Sequence, residues 1–567
     1  GVAVTFLGTP EATYNPIENR GDKQDKGIDV AQSFLSDRRA NKLTGKVDLL
    51  DVQKAREQVT LHKAMRFSTS VLEWEEMGPD NVGGRTRSVL IDKDNPSRIY
   101  AGSVSGGLWI SESGGRAWRK YSDELGNLNI SCITQASNGD IYFGTGELYF
   151  AKYSDGDGSS GFVGNGVWKK EAGSSEFVHL ASTDLGNINN NEGATWASVN
   201  ELATDPNNPS RIYAATSGGL QLSNDGGQSW TVAGVGPIQV NAIDVKVASD
   251  GSYVLAVAGT LGGNKIYKSN SGDAGSFVLH HNFAASDNVM TQVGRIEVSI
   301  SPSQSNIVYC AISDDLGNGN MKGVFRSEDG GDSWDMIAYP GMTELGIFNG
   351  QARYDMLLEV HPTNPDKLYV GGLDLWKWEK GNNWEKLTQW FYSYYPTFTD
   401  YLHADQHTMV FNPNNPEVLY VGNDGGVFLS EDGGSSFKPM NRGYNVTQFY
   451  ALGFSPHGEV IGGTQDNGTQ MVGWKAEYSN SGITQGATPQ AGMKVKGGDG
   501  GFAEMSRIDP DIMFVESQFS TDVHSWLQRT KDKGLSLEYS NNDKLFLDAF
   551  VENYLETNGA PFITPFS

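Results

Sequence analysis

A short run, His403-Ala-Asp-Gln-His407, combines residue types that can do chemistry with a regular spacing. If the run is extended, side chains at every second position point the same way, so that His403, Asp405 and His407 share one face. Two imidazoles and a carboxylate can bind a divalent cation, either calcium or a transition metal, or they can transfer protons. The same side chains can instead satisfy backbone groups at the start of a strand. The run predicts a candidate metal site and leaves this structural role open.

A second candidate group consists of aspartates in glycine-rich turns: Asp424, Asp466 and Asp499. Two carboxylates held close together can hydrolyse a glycosidic bond, and their separation decides between a retaining and an inverting outcome. Asp-Gly-Gly and Asp-Asn-Gly are also ordinary turn-forming sequences. These aspartates are therefore candidate catalytic residues, with a turn role as the alternative.

The third candidate is an aromatic insertion that runs from Trp390 to Phe398 and continues to Tyr401. Aromatic faces stack on sugars and also accept peptide side chains. The alternative is that these rings pack the insertion onto the rest of the protein. The candidate ligand-binding residues are Arg353, Tyr354, Trp390, Tyr394, Tyr401, Gln465 and Asn467.

An internal repeat shows which elements must position these residues. Four segments are near copies of one another: Ser111–Trp118, Ser223–Trp230, Ser327–Trp334 and Ser430–Phe437. Weaker copies lie between them, so that the period is about 46 to 58 residues, which is typical of propeller blades. Three of the copies contain the pattern Ser-x-Asp-Gly-Gly, and the first has Ser113 in place of the aspartate. The pattern predicts a turn in which Ser and Asp oxygens accept backbone hydrogen bonds and glycine adopts positive φ. We call this turn the Asp box.

The final aromatic residue of each Asp box is predicted to be buried between neighbouring blades. The predicted structural residues of the boxes are Ser111, Trp118, Ser223, Asp225, Trp230, Ser327, Asp329, Trp334, Ser430, Asp432 and Phe437.

Each repeat reads as strand A, a proline turn, strand B, a glycine turn, strand C, the Asp box and strand D. The predicted fold is therefore all-β, a multi-bladed β-propeller with about nine four-stranded blades. Either ten blades around one axis or two packed propellers would accommodate these repeats. Residues 1–73 are predicted to form an extended N-terminal segment with helices at residues 28–35 and 49–65. Residues 74–567 are predicted to form the propeller region. Its last blade is predicted to be incomplete, with a strand near Pro561.

The predicted strand order also sorts the loops by face. Because successive strands alternate in direction, the Asp boxes lie on one face, and the B–C turns and D–A connections lie on the other. The candidate residues all fall on this second face, which surrounds the mouth of the central channel. Further polar residues on it are Arg85, Arg87, Glu147, Arg295, Asp355 and Asp374.

Composition excludes several classes of function. The formal net charge of −25 argues against a nucleic-acid partner, which requires a basic face. No apolar run approaches the length of about 20 residues that spans a bilayer. The two cysteines, Cys132 and Cys310, lie in apolar strands, which favours buried free thiols over a disulfide.

Three parts of the sequence resemble a known family. The first is Gly78–Arg85, the second is His403–His407 together with Gly422–Gly426, and the third is Gly463–Gly468. They are similar to Asp-box (BNR-type) propellers of the sortilin-like and xyloglucanase-like superfamily, in particular to large bacterial proteins exported by the type IX secretion system. The resemblance implies an extracellular or outer-cell-surface location. Because the superfamily includes hydrolases and receptors, the resemblance leaves the activity open.

Three functions follow as expectations. The first is a secreted or cell-surface propeller that binds an extracellular protein or polysaccharide at the mouth face, without an obligatory cofactor. The second is a glycoside hydrolase that uses paired aspartates. The third is a structural component of a larger surface complex.

Overall fold

In the computed structural model, the structure of the protein is described for residues 28–45, 47–65, 75–122, 125–147, 162–185, 195–234, 241–259, 264–281, 283, 293–314, 320–339, 346–391, 398–473, 490–518, 527–532, 534 and 537. Tyr394, the predicted strand near Pro561 and the boundary between residues 73 and 74 lie outside these ranges. The N-terminal segment contains the predicted helices, α1 at Ile28–Arg39 and α2 at Leu49–Met65.

Antiparallel strands in meander order form nine sheets in the described ranges, eight with four strands and the ninth with three. Blade 1 consists of β1 (Thr86–Ile91), β2 (Ile99–Ser103), β3 (Gly107–Ser111) and β4 (Arg119–Lys120). Blade 2 consists of β5 (Ile130–Gln135), β6 (Ile141–Thr145), β7 (Val167–Lys170) and β8 (Val178–His179). Blade 3 consists of β9 (Val199–Thr204), β10 (Ile212–Thr216), β11 (Gly219–Ser223) and β12 (Thr231–Val232). Blade 4 consists of β13 (Ala242–Val247), β14 (Val254–Ala258), β15 (Lys265–Ser269) and β16 (Val278–His281).

Blade 5 consists of β17 (Ile296–Ile300), β18 (Val308–Ser313), β19 (Met321–Ser327) and β20 (Asp335–Ala338). Blade 6 consists of β21 (Leu357–Val360), β22 (Lys367–Gly371), β23 (Leu375–Glu379) and β24 (Glu385–Lys386). Blade 7 consists of β25 (Gln406–Asn412), β26 (Asn415–Asn423), β27 (Gly426–Ser430) and β28 (Lys438–Pro439). Blade 8 consists of β29 (Phe449–Phe454), β30 (Val460–Thr464), β31 (Gly468–Val472) and β32 (Met493–Lys496), and blade 9 of β33 (Gly500–Met505), β34 (Met513–Ser517) and β35 (Leu527–Thr530).

The first seven blades close into a ring, because the inner strand β1 packs against β25 of blade 7 as well as against β5 of blade 2. An apolar cluster fills each boundary between neighbouring blades, and the cluster that joins blade 7 to blade 1 contains Val89, Trp109, Tyr420 and Leu429. Blades 8 and 9 pack against each other outside this ring, around Ile461, Met471 and Val515. The alternative of ten blades around one axis is therefore wrong.

The Asp boxes have the hydrogen bonds that their sequence predicts. In blade 5, Ser327 Oγ donates to Asp329 Oδ1 (2.7 Å), and Ser333 donates to the same carboxylate from its backbone N (2.8 Å) and its hydroxyl (2.5 Å). The second glycine, Gly331, has a φ of 94° and donates its N–H to Ser327 Oγ (2.8 Å). The boxes that begin at Ser223 and Ser430 repeat this arrangement, and Ser113 takes the place of the aspartate in blade 1.

A tyrosine in strand B ties several boxes to the preceding blade. The hydroxyls of Tyr213, Tyr369 and Tyr420 donate to the carbonyls of Gly272, Gly433 and Gly114, at 3.0, 2.9 and 3.1 Å, respectively. The Tyr420 bond runs from blade 7 to blade 1. Closure of the ring thus depends on a polar contact as well as on apolar packing.

The cysteines are free and buried in different blades, Cys132 in β5 and Cys310 in β18. Among the helices of the described ranges, none has the length and apolar character needed to cross a bilayer.

Candidate functional site

Polar side chains of six blades meet where the mouth of the ring adjoins blades 8 and 9. They come from the first residues of inner strands, from D–A connections and from B–C turns. We call them the mouth cluster; its members are Arg85, Arg87, Glu147, Tyr354, Asp355, His403, Asp405, His407, Asp424, Asp466 and Asp499. The structure thus brings together the predicted metal and catalytic residues, although they are far apart in the sequence.

Asp424 is held by three polar side chains of the cluster. Oδ2 accepts a hydrogen bond from the Tyr354 hydroxyl (2.5 Å), and Oδ1 accepts one from His407 Nε2 (2.6 Å) and lies 3.4 Å from Arg85 Nε. Its side chain is 1% exposed. Burial by itself would raise the pKa of Asp424, but Arg85, His407 and Tyr354 outweigh it and hold the pKa well below its ordinary value. Asp424 is therefore ionised and its hydrogen-bonding capacity is satisfied.

Arg85 and Arg87 supply the positive charge of the cluster. Arg85 lies between Asp424 and Asp466, whose Oδ2 is 3.6 Å from Nη2. Arg87 donates to Glu147 Oε1 (2.7 Å from Nε) and to the carbonyl oxygen of Tyr354 (2.9 Å from Nη1). Both guanidinium groups lie over the Tyr354 ring, at 4.9 and 4.6 Å from its centroid. The sequence had placed both arginines on the mouth face but had given them no role.

The tautomer of His407 follows from its two neighbours. Arg87 has only donors, so His407 Nδ1 accepts its hydrogen bond (2.8 Å) and Nε2–H donates to Asp424. Burial and the adjacent Arg87 lower the pKa of His407 to about 3 despite Asp424. The ring is neutral, and both nitrogens are engaged.

The run from His403 to His407 is not extended, which corrects the premise of the predicted metal site. Strand β25 begins at Gln406, and Asp405 has a φ of 69°, in the left-handed region. His403 points to blade 8, where Nε2 lies 3.1 Å from the carbonyl oxygen of Asp466. The assignment of His403, Asp405 and His407 as a ligand set stays a prediction. Asp405 Oδ1 has no hydrogen-bond partner among the residues that the structure describes.

Four carboxyl groups of the cluster, Asp355, Asp405, Asp466 and Asp499, have raised pKa values, and burial is the largest cause for each. Burial, followed by the proximity of Asp424, raises the pKa of Asp405 to about 8, while the pKa of Asp355 is raised well above its ordinary value by burial and by Asp405. Burial and the neighbouring carboxylates of Asp499 and Asp424 likewise raise the pKa of Asp466. Asp466 also has a left-handed φ of 62°. The cluster thus contains one ionised aspartate beside several that tend to stay protonated.

Blades 8 and 9 complete the cluster. Asp499 Oδ1 accepts a hydrogen bond from the backbone N–H of Asp466 (2.7 Å). Asn467 Nδ2 donates to the carbonyl oxygen of Asp424 (3.0 Å), so that this predicted ligand-binding amide joins blade 8 to blade 7. Gln465 is buried beside it, and its Oε1 has no hydrogen-bond partner among the described residues.

Oxygens of Asp405, Asp424 and Asp466 lie within 4.8 Å of one another, a grouping that suits a cation by size. Both Asp424 oxygens already accept hydrogen bonds, and Arg85 contacts Asp424 and Asp466. A calcium ion requires at least six oxygen ligands. The residues present therefore do not fit a calcium ion while Arg85 occupies this position.

The predicted ligand-binding residues divide into exposed and buried members. Trp390 and Phe391 form an edge-to-face pair, with centroids 6.0 Å apart, and are 42% and 55% exposed. The Trp390 backbone N–H donates to Asp374 Oδ1 (2.8 Å), which holds this pair on the mouth face. Tyr401 packs against Phe428, Tyr354 is buried in the mouth cluster, and Arg353 is half-buried.

Comparisons with solved structures support the fold. The protein is similar to a GH74 enzyme of Niastella koreensis, with a TM-score of 0.56, 18% sequence identity and coverage of 82% of this chain and 67% of that enzyme. An ancestral GH74 enzyme has a TM-score of 0.51 and 16% sequence identity, with coverage of 82% of this chain and 69% of that enzyme. PorZ, a surface component of the type-IX secretion system of Porphyromonas gingivalis, has a TM-score of 0.44 and 13% sequence identity. That comparison covers 82% of this chain and 53% of PorZ. No protein-family model matches the chain, and no curated protein matches its sequence.

At these identities the likeness establishes a β-propeller architecture and no activity. The class of protein is therefore a multi-bladed β-propeller with a polar, largely buried group at the mouth of its first ring.

Proposed function

We propose that the protein is an extracellular or cell-surface binding propeller that takes a polysaccharide or protein ligand at the mouth face. The observation that carries the proposal is the exposed pair of Trp390 and Phe391 on that face. Such rings stack on sugar faces or pack against apolar side chains of a partner, and aromatic residues are frequent binding hot spots.

The contacts of Asp424 favour binding over catalysis. A carboxylate that acts as nucleophile or base must reach the substrate or a water molecule. Asp424 is buried, and both its oxygens accept hydrogen bonds from Tyr354 and His407. It is held as a structural anion that fixes the arrangement of blades 1, 6 and 7.

The proposal is tested by binding to a polysaccharide panel that includes xyloglucan, with the double variant Trp390→Ala/Phe391→Ala. We expect the double variant to lose at least about tenfold in affinity, because it loses two stacking faces. Ile508→Ala is the matched control, since Ile508 is 98% exposed in the A–B turn of blade 9, away from the mouth. An unchanged affinity of the double variant would contradict the assignment of the aromatic pair.

A second candidate function, glycoside hydrolysis, is favoured by one specific observation. The pKa of Asp424 is held low while that of Asp466 is raised, and their oxygens lie within 4.8 Å of each other. Opposed pKa values in neighbouring carboxyl groups are the arrangement of an acid and a base. On this alternative Asp466 is the acid and Asp424 the nucleophile or base, with Asp499 in support.

Release of reducing ends from xyloglucan distinguishes the two candidates. The hydrolase proposal expects turnover that falls at least about a hundredfold in Asp466→Asn, because a general acid contributes by roughly that factor. Asp329→Asn, in an Asp box on the opposite face, serves as the control. Binding without turnover supports the binding propeller. The third expectation, a structural role in a larger surface complex, remains a prediction.

A further inference from the structure

Helix α1 crosses directly above the mouth cluster. Leu35 packs against Val104, Phe162 and Tyr354, which belong to blades 1, 2 and 6. One position earlier, the Phe34 ring meets the edge of Tyr450 of blade 8, with centroids 5.6 Å apart. The helix therefore touches both the ring and the neighbouring blade, over the tyrosine that donates to Asp424.

Arg39, the last residue of α1, stacks on an aromatic ring, but the burial of its guanidinium is only partly compensated. The Arg39 guanidinium lies 3.6 Å from the centroid of Phe162, and its Nη1 is buried with no hydrogen-bond partner in the described part of the chain. Burial lowers the pKa of Arg39 to about 10, and Glu147 offsets only part of this effect. Burying a donor without a partner opposes folding of that segment. Displacing α1 would return this guanidinium to water.

Beyond α1, the described part of the N-terminal segment contacts the propeller around Val163, Leu185 and Ala197. Ala40, Val47 and Leu49 pack against Val163, and Arg56 donates to the carbonyl oxygens of Val163 and Gly164 (2.6 and 3.0 Å). Leu50 and Val52 of α2 also pack against this cluster, whereas Val59 and Leu61, further along the helix, are more than half exposed. Segments with so few buried apolar contacts open at low free energy.

We propose that α1 is a strap that covers the mouth cluster and that the ligand of the mouth face gains access to it when the strap is displaced. The reason is geometric, because Leu35 and Phe34 cover Tyr354 and Tyr450, the two tyrosines that flank the cluster. The statement about the ligand rests on the proposed function, whereas the covering contact does not.

The strap is tested in the full chain with Leu35→Asp, which places a charge in the apolar contact. Leu43→Asp is the matched control, because Leu43 is 86% exposed in the same N-terminal segment. Amide hydrogen exchange is measured by mass spectrometry for residues 352–356, beneath the strap, and for β14 of blade 4, which in the described ranges shares no apolar cluster with those residues or with α1. We expect exchange of residues 352–356 to become at least about tenfold faster in Leu35→Asp and to stay unchanged in the control.

Unchanged exchange at residues 352–356 in Leu35→Asp, together with faster exchange of α1, would overturn the proposal. Faster exchange in β14 would mean that the propeller itself is perturbed. The milder variant Phe34→Ala is then measured, and exchange of residues 352–356 decides in the same way. Affinity for xyloglucan is measured in parallel. A rise in affinity that accompanies faster exchange supports both proposals, whereas faster exchange with no gain of binding supports the strap and counts against the mouth as the ligand site.

Discussion

The two faces of the seven-bladed ring differ in how their polar groups are satisfied. On the Asp-box face, the same short motif recurs and its aspartates are solvent-exposed. The boxes of blades 3 and 7 repeat the hydrogen bonds seen at Asp329 in blade 5. On the mouth face, no motif recurs, and the polar groups are buried. Asp405 there keeps a buried oxygen with no hydrogen-bond partner among the described residues.

This difference distinguishes the structural residues of the Asp boxes from the candidate functional residues of the mouth cluster. A turn whose carboxylate is satisfied within eight residues can be copied from blade to blade without regard to its neighbours. The mouth cluster depends on six blades at once, and two of its aspartates adopt left-handed backbone conformations. Strained and unusually protonated residues concentrate at functional sites. The conspicuous motif thus identifies the fold, and the irregular face is the place to test function.

The largest expected effect is at Arg85. Arg85→Met keeps most of the side-chain volume but leaves Asp424 and Asp466 without their shared cation. Removal of one partner from a buried ion pair destabilises proteins by about 3–5 kcal/mol. Urea unfolding measures the loss. Arg98→Met, which breaks an exposed pair with Glu112 near the Asp-box face, is expected to lose less than about 1 kcal/mol. Equal losses would show that the two faces do not differ in this respect.

The second prediction concerns pH and Asp405. Because its pKa of about 8 lies above the ordinary value, the folded state keeps a proton that the unfolded state releases. The stability this proton provides is complete below the unfolded pKa and is lost as the pH rises through 8. In Asp405→Asn, whose amide tolerates the left-handed backbone, this loss disappears.

Thermal or urea unfolding between pH 7 and 8.5 checks the prediction. The wild type should lose up to about 1.4 kcal/mol per pH unit more than Asp405→Asn over this range. Glu297 and Glu359 line the inner strands with pKa values raised to about 7 and contribute equally to both proteins. Parallel pH profiles of the two proteins would contradict the raised pKa of Asp405.

On the Asp-box face, Asp329→Ala removes the acceptor for Ser327 and Ser333 and should reduce stability by about 1–2 kcal/mol. Asp335→Ala, an exposed aspartate in the following strand, is expected to change stability by less than about 0.5 kcal/mol. The difference between the two variants, obtained from urea unfolding, gives the contribution of one box. A loss at Asp329 as large as that at Arg85 would remove the distinction between the faces.

The smallest expected effect is at Tyr420. Tyr420→Phe removes one hydrogen bond to Gly114 and should reduce stability by about 1 kcal/mol, with no change in binding at the mouth. Tyr339→Phe, at an exposed tyrosine, is the control. A loss confined to Tyr420→Phe would identify the polar closure between blades 7 and 1 as a contributor to ring stability.

The sequence predicts the repeat because the strand pattern recurs from blade to blade and the Ser-x-Asp-Gly-Gly turn recurs in blades 3, 5 and 7. The N-terminal helices could also be predicted, because the residue pattern that indicates a helix lies within the segment itself. The strand-B tyrosines were visible as a repeated residue, but their hydrogen bonds to the next blade were not, because the acceptor carbonyls lie 59 to 306 positions away in the sequence.

The run His403–His407 shows where sequence reasoning fails. Its spacing predicts a shared face only for extended backbone, and the left-handed Asp405 breaks that condition. The partners of His407, Arg87 and Asp424, come from blades 1 and 7, so no local pattern could assign its tautomer.

The sequence by itself determined the blade, its turns, and the face on which the unusual polar residues lie, because strand alternation and turn chemistry act over a few residues. Only the tertiary structure decided that seven blades close into a ring and that Arg85 lies between Asp424 and Asp466. The tertiary structure also placed α1 over the mouth cluster. These outcomes depend on packing between distant segments, and burial then sets the charge of each group.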